Sequence, residues 1–522
     1  MRLKRFYIKD YRVLQNLQLD FARGGESLTP AQNYALDFLA GVNGTGKSTV
    51  LQLLGKLFAW LEEQDYFPEA IDLEYTLGKP PHDEKQITIT TRAETVNKTE
   101  SGLYWRVDGG QWKKGKIEGE LLPKHIIIYT TGSENEWNEV ITLEQSEEQA
   151  GEMNQEFSNE AEVFLHELPG HRSNAGVIDE DASFDPDRRL LFIRSSAMPL
   201  VALCGLIASR RKADDKGEEP LRDVLRSIGL DSLVGFSLRL RSHRNLTPPA
   251  QQEIVDRLVS AADRVVKLGG DLLAVFDMAK QSTQNADENG KPSIFSIYGS
   301  DIELFQHLYL LTEHRAYYDP PLQEVNLFLK RNTINRAESI EGSESPRQPM
   351  LHLFEWLSDG ERSFLARMAL FALFRKDDLL VLLDEPEVHF NDVWKREIVN
   401  MLDGIMRGHA SHALITTHSS IALTDVPAQD ILVLRRLGER TTGQGDTQIP
   451  GIETLGADPS DILVHVFGTR SASGERGIRF IREEIGRRDS PKELEELEQI
   501  VAPGYWRYRI QLEAQRLRGT LQ

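Results

Sequence analysis

The segment GVNGTGKST, residues 41–49, carries the most specific chemical pattern in the sequence. Gly41, Gly46, Lys47 and Ser48 satisfy the pattern G-x-x-x-x-G-K-[ST] in full. In such a loop the glycines let backbone N–H groups face phosphate oxygens, the lysine reaches the β- and γ-phosphates, and the hydroxyl can bind Mg²⁺. The segment therefore predicts a phosphate-binding loop, although a Gly-rich helix cap would share part of the pattern.

Two adjacent carboxylates, Asp384 and Glu385, follow an aliphatic run at residues 379–383. A run without alternation is typical of a parallel strand that is buried on both faces. Carboxylates at the end of such a strand need a cation, a polarised water or an exposed turn. Asp384 is therefore predicted to bind Mg²⁺ opposite the phosphate loop, and Glu385 to orient or deprotonate an attacking water. The alternative is an ordinary strand exit at Asp-Glu-Pro.

Two further sites admit both a structural and a chemical interpretation. Ser358 and Glu361 form the capping-box pattern S-x-x-E before a helix predicted over 362–374. A helix N-terminus also attracts anions, so Ser358 and the Gly360 amide could receive a γ-phosphate. His418 follows an apolar strand and precedes two serines, where a histidine is either structural or part of the chemistry. The residues alone leave both pairs of interpretations open.

These residues need strands and helices that meet at one place. The apolar run 34–40 leads into the phosphate loop, and residues 50–61 carry apolar side chains at helical spacing, which predicts strand, loop and helix in succession. Residues 190–281 are predicted to be mostly helical, notably 251–278. The expected fold class is α/β, with a mostly helical insertion and a helical C-terminal tail. Further strands are predicted at 86–91, 103–107, 125–130, 413–417 and 430–434.

The composition limits the class of protein and its expected compartment. A chain of 522 residues with 40% hydrophobic and 27% charged residues is typical of a folded protein with more than one domain. Cys204 is the single cysteine, so neither an intramolecular disulfide nor a Cys-rich zinc site can form. The N-terminus lacks an apolar signal region, and no window is apolar enough for a membrane span. The expected compartment is the cytoplasm.

The net charge of −20 is unevenly distributed. Residues 134–187 contain sixteen acidic residues against Arg172 alone, a charge of −15 that leaves −5 for the rest. We expect this stretch to be a mobile segment that contacts a basic partner protein, and the alternative is a passive solubilising loop. Arginine clusters such as Arg476, Arg479 and Arg482 permit a local phosphate-tracking surface but are also compatible with solvated helix faces.

Taken together and in order, the phosphate loop, LSDGE (357–361), DEPE (384–387) and TTHS (416–419) resemble the ABC-type ATPase head, specifically its soluble RecF/SMC-like and OLD-like branch. The resemblance covers about the first 135 residues and residues 351–468. It implies a P-loop ATPase head that binds ATP and Mg²⁺ and hydrolyses the nucleotide. The opening segment IKDYRVLQ is similar to this branch as well, which implies that Arg12 lies near the phosphates.

The resemblance also implies roles for single residues and an oligomer. ATP lies between two heads, Ser358 and Gly360 close over the γ-phosphate from the partner head, and His418 acts as a switch, so the protein is expected to be a homodimer or higher homo-oligomer. Catalysis is assigned to Glu385 and His418, and Mg²⁺ to Ser48 and Asp384. In the same head, the nucleotide is bound by Asn43, Gly44, Gly46, Lys47, Ser48 and Thr49.

Some features depart from the family pattern. The family places a glutamine soon after the strand 125–130, whereas TTGSENEW follows here, so that role stays unassigned. The acidic D-x-D of OLD nucleases is missing beyond His418, which disfavours an intrinsic nuclease. The expected domains are an N-terminal lobe (1–133), an acidic flexible segment (134–189), a helical insertion (190–349), a C-terminal lobe (350–468) and a charged helical tail (469–522).

The closing pattern GADPSDILVHVFG is similar to stand-alone ATPases of bacterial anti-phage defence, such as the Septu ATPase subunit. This resemblance implies a nucleotide-switched scaffold that controls a separately encoded nuclease or toxin. The alternative is a RecF-like ATPase for DNA repair or loading, so DNA is kept as a candidate partner. A transporter subunit is disfavoured by the large middle segment, and no membrane partner is expected.

Overall fold

The structure is a computed structural model, and its helices and strands are numbered below in chain order. It describes residues 1–21, 34–79, 83–98, 100, 102–138, 140, 189–216, 219–241, 249–281, 291–312, 320–331, 350–435, 447–469, 471 and 473–519. The strands are β1 Arg2–Tyr11, β2 Leu14–Asp20, β3 Ala35–Ala40, β4 Ile71–Leu77, β5 Lys85–Thr90, β6 Tyr104–Val107, β7 Lys113–Lys114, β8 His125–Thr130, β9 Leu190–Ile193, β10 Leu230–Arg241, β11 Arg264–Leu268, β12 Asp271–Asp277, β13 Leu322–Arg331, β14 Met350–Leu353, β15 Leu379–Asp384, β16 Ser411–Thr417, β17 Ile431–Leu434 and β18 Thr447–Gln448. The helices are α1 Lys47–Glu63, α2 Met198–Lys216, α3 Arg222–Ser227, α4 Pro249–Ala261, α5 Asp301–Leu310, α6 Asp359–Leu373, α7 Asp392–Met406, α8 Pro459–His465, α9 Glu475–Arg487, α10 Pro491–Ile500 and α11 Tyr505–Leu517.

A seven-stranded sheet positions the chemical residues. Its order is β18-β17-β3-β16-β15-β8-β9, and every neighbouring pair except β17 with β18 is parallel. Parallel strands end at the same edge of a sheet, so the segments that follow β3, β15, β16 and β8 meet there. The phosphate loop, the Asp384 turn and His418 follow the first three of these strands. The expected α/β class is confirmed.

Helix α1 joins this sheet to a second one. The six-stranded sheet β2-β1-β4-β5-β6-β7 is antiparallel, and one buried cluster connects both sheets through the leucines of α1. Leu51, Leu54 and Phe58 on α1 are fully buried in that cluster. Because α1 is buried against both sheets, the phosphate loop at its N-terminus has a fixed position relative to them.

The middle of the chain differs from expectation. Its described residues contain α2 to α5 but also an antiparallel sheet of order β11-β12-β10-β13-β14. The predicted helix over 251–278 is wrong beyond Ala261, where α4 ends and the hairpin β11–β12 follows. The apolar residues Val265 and Leu268 continue the helical spacing of α4 by coincidence, whereas Gly269, with a φ of 61°, turns the hairpin.

The acidic segment begins with folded residues. Residues Glu134–Trp137 form a turn of 3-10 helix, and Trp137 is buried against Phe192 with ring centroids 5.7 Å apart. The expectation of a flexible segment from residue 134 is therefore wrong for its first residues, because burying an indole side chain is strongly favourable. Residues 141–188, which hold most of the acidic charge, lie outside the described residues.

The chain forms two compact units, Met1–Gly456 and Ala457–Gln522. The division falls upstream of the boundary predicted at residue 468, and the domain bounds remain predictions. The second unit contains α8 to α11, of which α9 to α11 lie in the predicted helical tail, and it has a small core of Leu494, Leu497, Ile510 and Ala514. Within the described residues, no helix is long and apolar enough to cross a membrane.

Candidate nucleotide site

The phosphate loop is held in a shape that only glycine adopts easily. Gly46 caps α1 with a φ of 92°, and a Cβ atom there would lie 2.5 Å from Leu14 Cδ2. Lys47 is the first residue of α1, and its Nζ donates to the carbonyls of Gly41 at 3.0 Å and Val42 at 3.3 Å. Burial lowers the pKa of Lys47 to about 8, against the opposing effect of nearby carboxylates. The ammonium is thus folded back across its own loop, where phosphate oxygens would bind.

Asp384 stands opposite this loop at the end of β15. Its carboxylate accepts hydrogen bonds from Ser48 Oγ at 2.8 Å, Thr416 Oγ1 at 2.7 Å and Thr130 Oγ1 at 3.2 Å. Burial raises the pKa of Asp384, and the three hydroxyl donors oppose that rise. A nearby cation would favour the charged form further.

The pair of Ser48 and Asp384 fits Mg²⁺ by donor chemistry. Both offer oxygen atoms, and Mg²⁺ is commonly held by one or two protein oxygens together with phosphate oxygens and water. Among the described residues, no group of three or more His, Cys, Asp or Glu side chains could hold a metal by itself.

Glu385 and His418 meet beside Asp384. His418 Nε2 lies 3.0 Å from Glu385 Oε1, and both side chains are about one-third exposed. The hydrogen bond from His418 lowers the pKa of Glu385, which keeps the carboxylate charged. Glu385 has a φ of 51°, and its N–H donates to Thr416 Oγ1 at 2.9 Å. A positive φ is uncommon for a non-glycine residue, and here it turns the chain sharply at the end of a buried strand.

An open cleft of about 400 Å³ lies beside the first turn of α1. Arg12 lines it, and its guanidinium donates to Gln52 Oε1 at 2.8 Å. The other lining residues are Ser48, Thr49, Gln52, Asn135, Glu136 and Asn138. The structure thus places Arg12, Ser48 and Thr49 around one opening, whereas Asn43 and Gly44 lie exposed on the loop nearby.

Four residues of this cleft, Gln52, Asn135, Glu136 and Asn138, were not predicted from the sequence. Gln52 lies one helical turn after Ser48, so the spacing i, i+4 could have indicated it. The segment 135–138 follows β8, where the family pattern places a glutamine, and it presents Asn135, Glu136 and Asn138 instead. Their position depends on the burial of Trp137, which no local pattern in an acidic stretch signals.

The predicted capping box is present at the start of α6. Ser358 Oγ accepts from the Glu361 N–H at 3.3 Å, and the Ser358 N–H donates to Glu361 Oε2 at 2.8 Å. Gly360 lies against the His389 carbonyl and the Trp394 ring, which leave little room for a Cβ. In the part of the chain that the structure describes, no hydrogen bond or ion pair joins Ser358 or Gly360 to the phosphate loop. The phosphate role of these two residues remains a prediction.

Comparison with known families decides the identity of the chain. Residues 131–425 match a family described as "AAA domain, putative AbiEii toxin, Type IV TA system". The chain belongs to this AAA family. The match contains Asp384, Glu385, Ser358 and His418. The phosphate loop lies outside the match and is therefore independent support for an AAA-type ATPase. It also spans the middle segment, for which the sequence motifs gave no resemblance.

Solved structures show only a distant likeness to this AAA-family chain. An SMC head bound to the C-winged helix domain of ScpA is 10% identical, with 84% of this chain and 95% of that chain covered and a TM-score of 0.30. The SMC head domain from Thermotoga maritima is 8% identical, with coverages of 84% and 96% and a TM-score of 0.29. No curated protein matches the sequence.

Proposed function

We propose that this AAA-family chain binds Mg²⁺–ATP and hydrolyses it at the site formed by the phosphate loop, Asp384, Glu385 and His418. The observation that carries the proposal is the convergence of three strand ends. Ser48 lies 2.8 Å from Asp384, and Glu385 is paired with His418 at 3.0 Å on the same edge. A phosphate loop facing two carboxylates is the arrangement that phosphoryl transfer to water requires.

Each residue has a role that follows from its position. Lys47 would bind the β- and γ-phosphates in place of the carbonyls that it now contacts. The backbone amides of the loop would bind the same phosphates. Ser48 and Asp384 would hold Mg²⁺, whose charge offsets the negative charge that develops on the phosphates. Glu385, kept ionised by His418, would accept a proton from the attacking water. Arg12 and Gln52 would border the phosphates from the side of the cleft.

Two variants test the catalytic assignment. Lys47→Ala should abolish ATP binding, because the loop loses its only charge that reaches the phosphates. Glu385→Gln should retain binding with a kcat that is lower by roughly 10²-fold or more, because the base is lost and the metal ligand is kept. ATP affinity is measured by calorimetry and turnover by phosphate release. Undiminished hydrolysis by Glu385→Gln would show that Glu385 is not the base.

We further propose that nucleotide-dependent pairing of two heads controls a separate effector, a nuclease or toxin, in anti-phage defence. Two observations support this role. The family description names a toxin of a toxin–antitoxin system, and α6 presents a capped N-terminus that is not hydrogen-bonded to the phosphate loop of its own chain within the described residues. An anion-binding helix end of this kind suits a phosphate that another subunit holds.

The effector proposal needs its own experiment. The chain is expressed with the products of neighbouring genes, in the Glu385→Gln form that retains ATP, and any complex is isolated and weighed by native mass spectrometry. A nuclease or toxin retained with ATP and released without it supports the proposal. Strong salt-dependent binding of duplex DNA by the chain alone, with no retained protein, would favour the RecF-like alternative.

A further inference from the structure

A third carboxyl group lies behind the candidate catalytic pair. Glu387 is only 5% exposed and does not line the cleft. Its Oε1 accepts from the Thr417 hydroxyl and from the His418 N–H, the latter at 3.2 Å. Burying a carboxyl group is costly unless it is hydrogen-bonded, so these two hydrogen bonds stabilise the buried position of Glu387.

Both of these hydrogen bonds to the Glu387 carboxyl group come from the segment that carries His418. Thr417 Oγ1 donates to Glu387 and also accepts from the Ser419 N–H at 2.9 Å. The backbone of residues 417–419 is therefore fixed on one side by Glu387. On the other side, the imidazole of His418 reaches Glu385. Glu387 thus holds the backbone of His418, and Glu385 holds its imidazole ring.

The backbone on either side of Glu387 is itself hydrogen-bonded. Arg367, on α6, is 3% exposed and donates to the carbonyls of Pro386 and, at 2.5 Å, Val388, on either side of Glu387. The Arg367 Nε also donates to Tyr129 Oη at 3.2 Å. The backbone of the turn that carries Glu385 and Glu387 is therefore held in place by hydrogen bonds from Arg367.

We propose that Glu387 is a positioning residue for ATP hydrolysis, which holds the backbone of His418 so that the imidazole stays on Glu385. The proposal rests on the ATPase function above. Removing the acceptor would abolish the hydrogen bonds that the Thr417 hydroxyl and the His418 N–H make to Glu387, and the backbone of residues 417–419 would lose this support. The imidazole would then lose its fixed orientation, at a cost in kcat and not in ATP affinity.

Two variants separate positioning from charge. Glu387→Gln keeps an oxygen acceptor of the same size and should retain kcat within about threefold, whereas Glu387→Ala should lower kcat by roughly 10–100-fold with an unchanged Kd for ATP. The decisive measurement is a double-mutant cycle with His418→Ala. If Glu387 acts through His418, Glu387→Ala should change kcat by less than about twofold in the His418→Ala background.

The outcomes are distinguishable. Equal losses from Glu387→Ala in the two backgrounds would overturn the positioning role, and so would a loss from Glu387→Gln as large as that from Glu387→Ala. Thermal unfolding of each variant shows whether the fold is retained. Absence of hydrolysis by the wild type would refute the ATPase function instead. In that case the His418 ring signals of [¹³Cε1]-histidine-labelled protein test positioning directly: they should shift and broaden in Glu387→Ala but not in Glu387→Gln, and unchanged signals would overturn the proposal.

Discussion

Burial makes the charge of Lys47 costly. Its pKa is lowered to about 8 because burial penalises the ammonium more than the neighbouring carboxylates favour it. Phosphate oxygens beside Nζ would reverse the balance, since they place negative charge where water is excluded. Binding of ATP should therefore raise the pKa of Lys47.

This reversal predicts a pH-dependent affinity. Above about pH 8, where Lys47 loses its proton in the free protein but keeps it in the complex, ATP binding must take up a proton, and Kd should increase by up to about tenfold per pH unit. Calorimetry in two buffers of different ionisation enthalpy measures the proton uptake. Lys47→Arg is the matched control, because arginine stays charged at these pH values. A Kd for the wild type that is constant from pH 7.5 to about pH 9.5 would contradict the predicted coupling.

The carboxylates of the site show how neighbouring residues acquire different roles. Asp384 is directed at Ser48 and accepts three hydroxyl donors, whereas Glu385 is directed at His418. The positive φ of Glu385 turns the chain so that consecutive side chains point to different partners. The sequence predicted different roles for the two carboxylates, Mg²⁺ binding for Asp384 and action on water for Glu385, but not the backbone turn that gives their side chains different partners.

At the scale of the element, α6 links two parts of the site. Its N-terminus carries Ser358, and Arg367 two turns later binds the carbonyls of the Glu385–Val388 turn. A rigid helix that touches both places could transmit the presence of a phosphate at Ser358 to Glu385. Coupling of this kind requires that Ser358 does more than cap the helix.

Substitutions at Ser358 separate capping from phosphate binding. Asp and Asn cap helices about as well as Ser, so both variants should unfold within about 1 kcal/mol of the wild type. Ser358→Asp should nevertheless abolish ATP hydrolysis, because its charge repels a γ-phosphate, whereas Ser358→Asn should retain part of the activity. Urea unfolding and phosphate release are the measurements. Equal activity of the two variants would mean that Ser358 only caps the helix.

The elements that the sequence predicted are those with a strong local signal. The phosphate loop, the strand 125–130 and the buried run before Asp384 have patterns that tertiary contacts reinforce. The β11–β12 hairpin was missed because Val265 and Leu268 extend the helical spacing of α4, although the Gly-Gly pair at 269–270 between apolar runs is a hairpin signal. The 3-10 turn at 134–137 had no such signal, because a single buried Trp137 determines it.

At the scale of the whole molecule, the question is whether one chain holds a complete site. The phosphate loop, the candidate metal ligands and the candidate base converge within one chain, whereas the Ser358 side chain is hydrogen-bonded to Glu361, and Gly360 packs against the His389 carbonyl and the Trp394 ring. If their predicted role is right, the γ-phosphate they bind belongs to a second copy. Two copies related by a two-fold axis would then form two identical composite sites.

Complementation between two inactive variants tests this arrangement. Lys47→Ala removes the phosphate-binding charge and Ser358→Arg blocks the end of α6, so each variant alone should be inactive. In a mixed dimer, one site carries both defects and the other carries neither. Random mixing should restore roughly a quarter of the wild-type activity, since about half of the dimers are mixed and each has one intact site. Native mass spectrometry establishes the fraction of mixed dimers under the assay conditions. Mixtures that contain heterodimers and yet hydrolyse no ATP would show that the site is not shared between two heads.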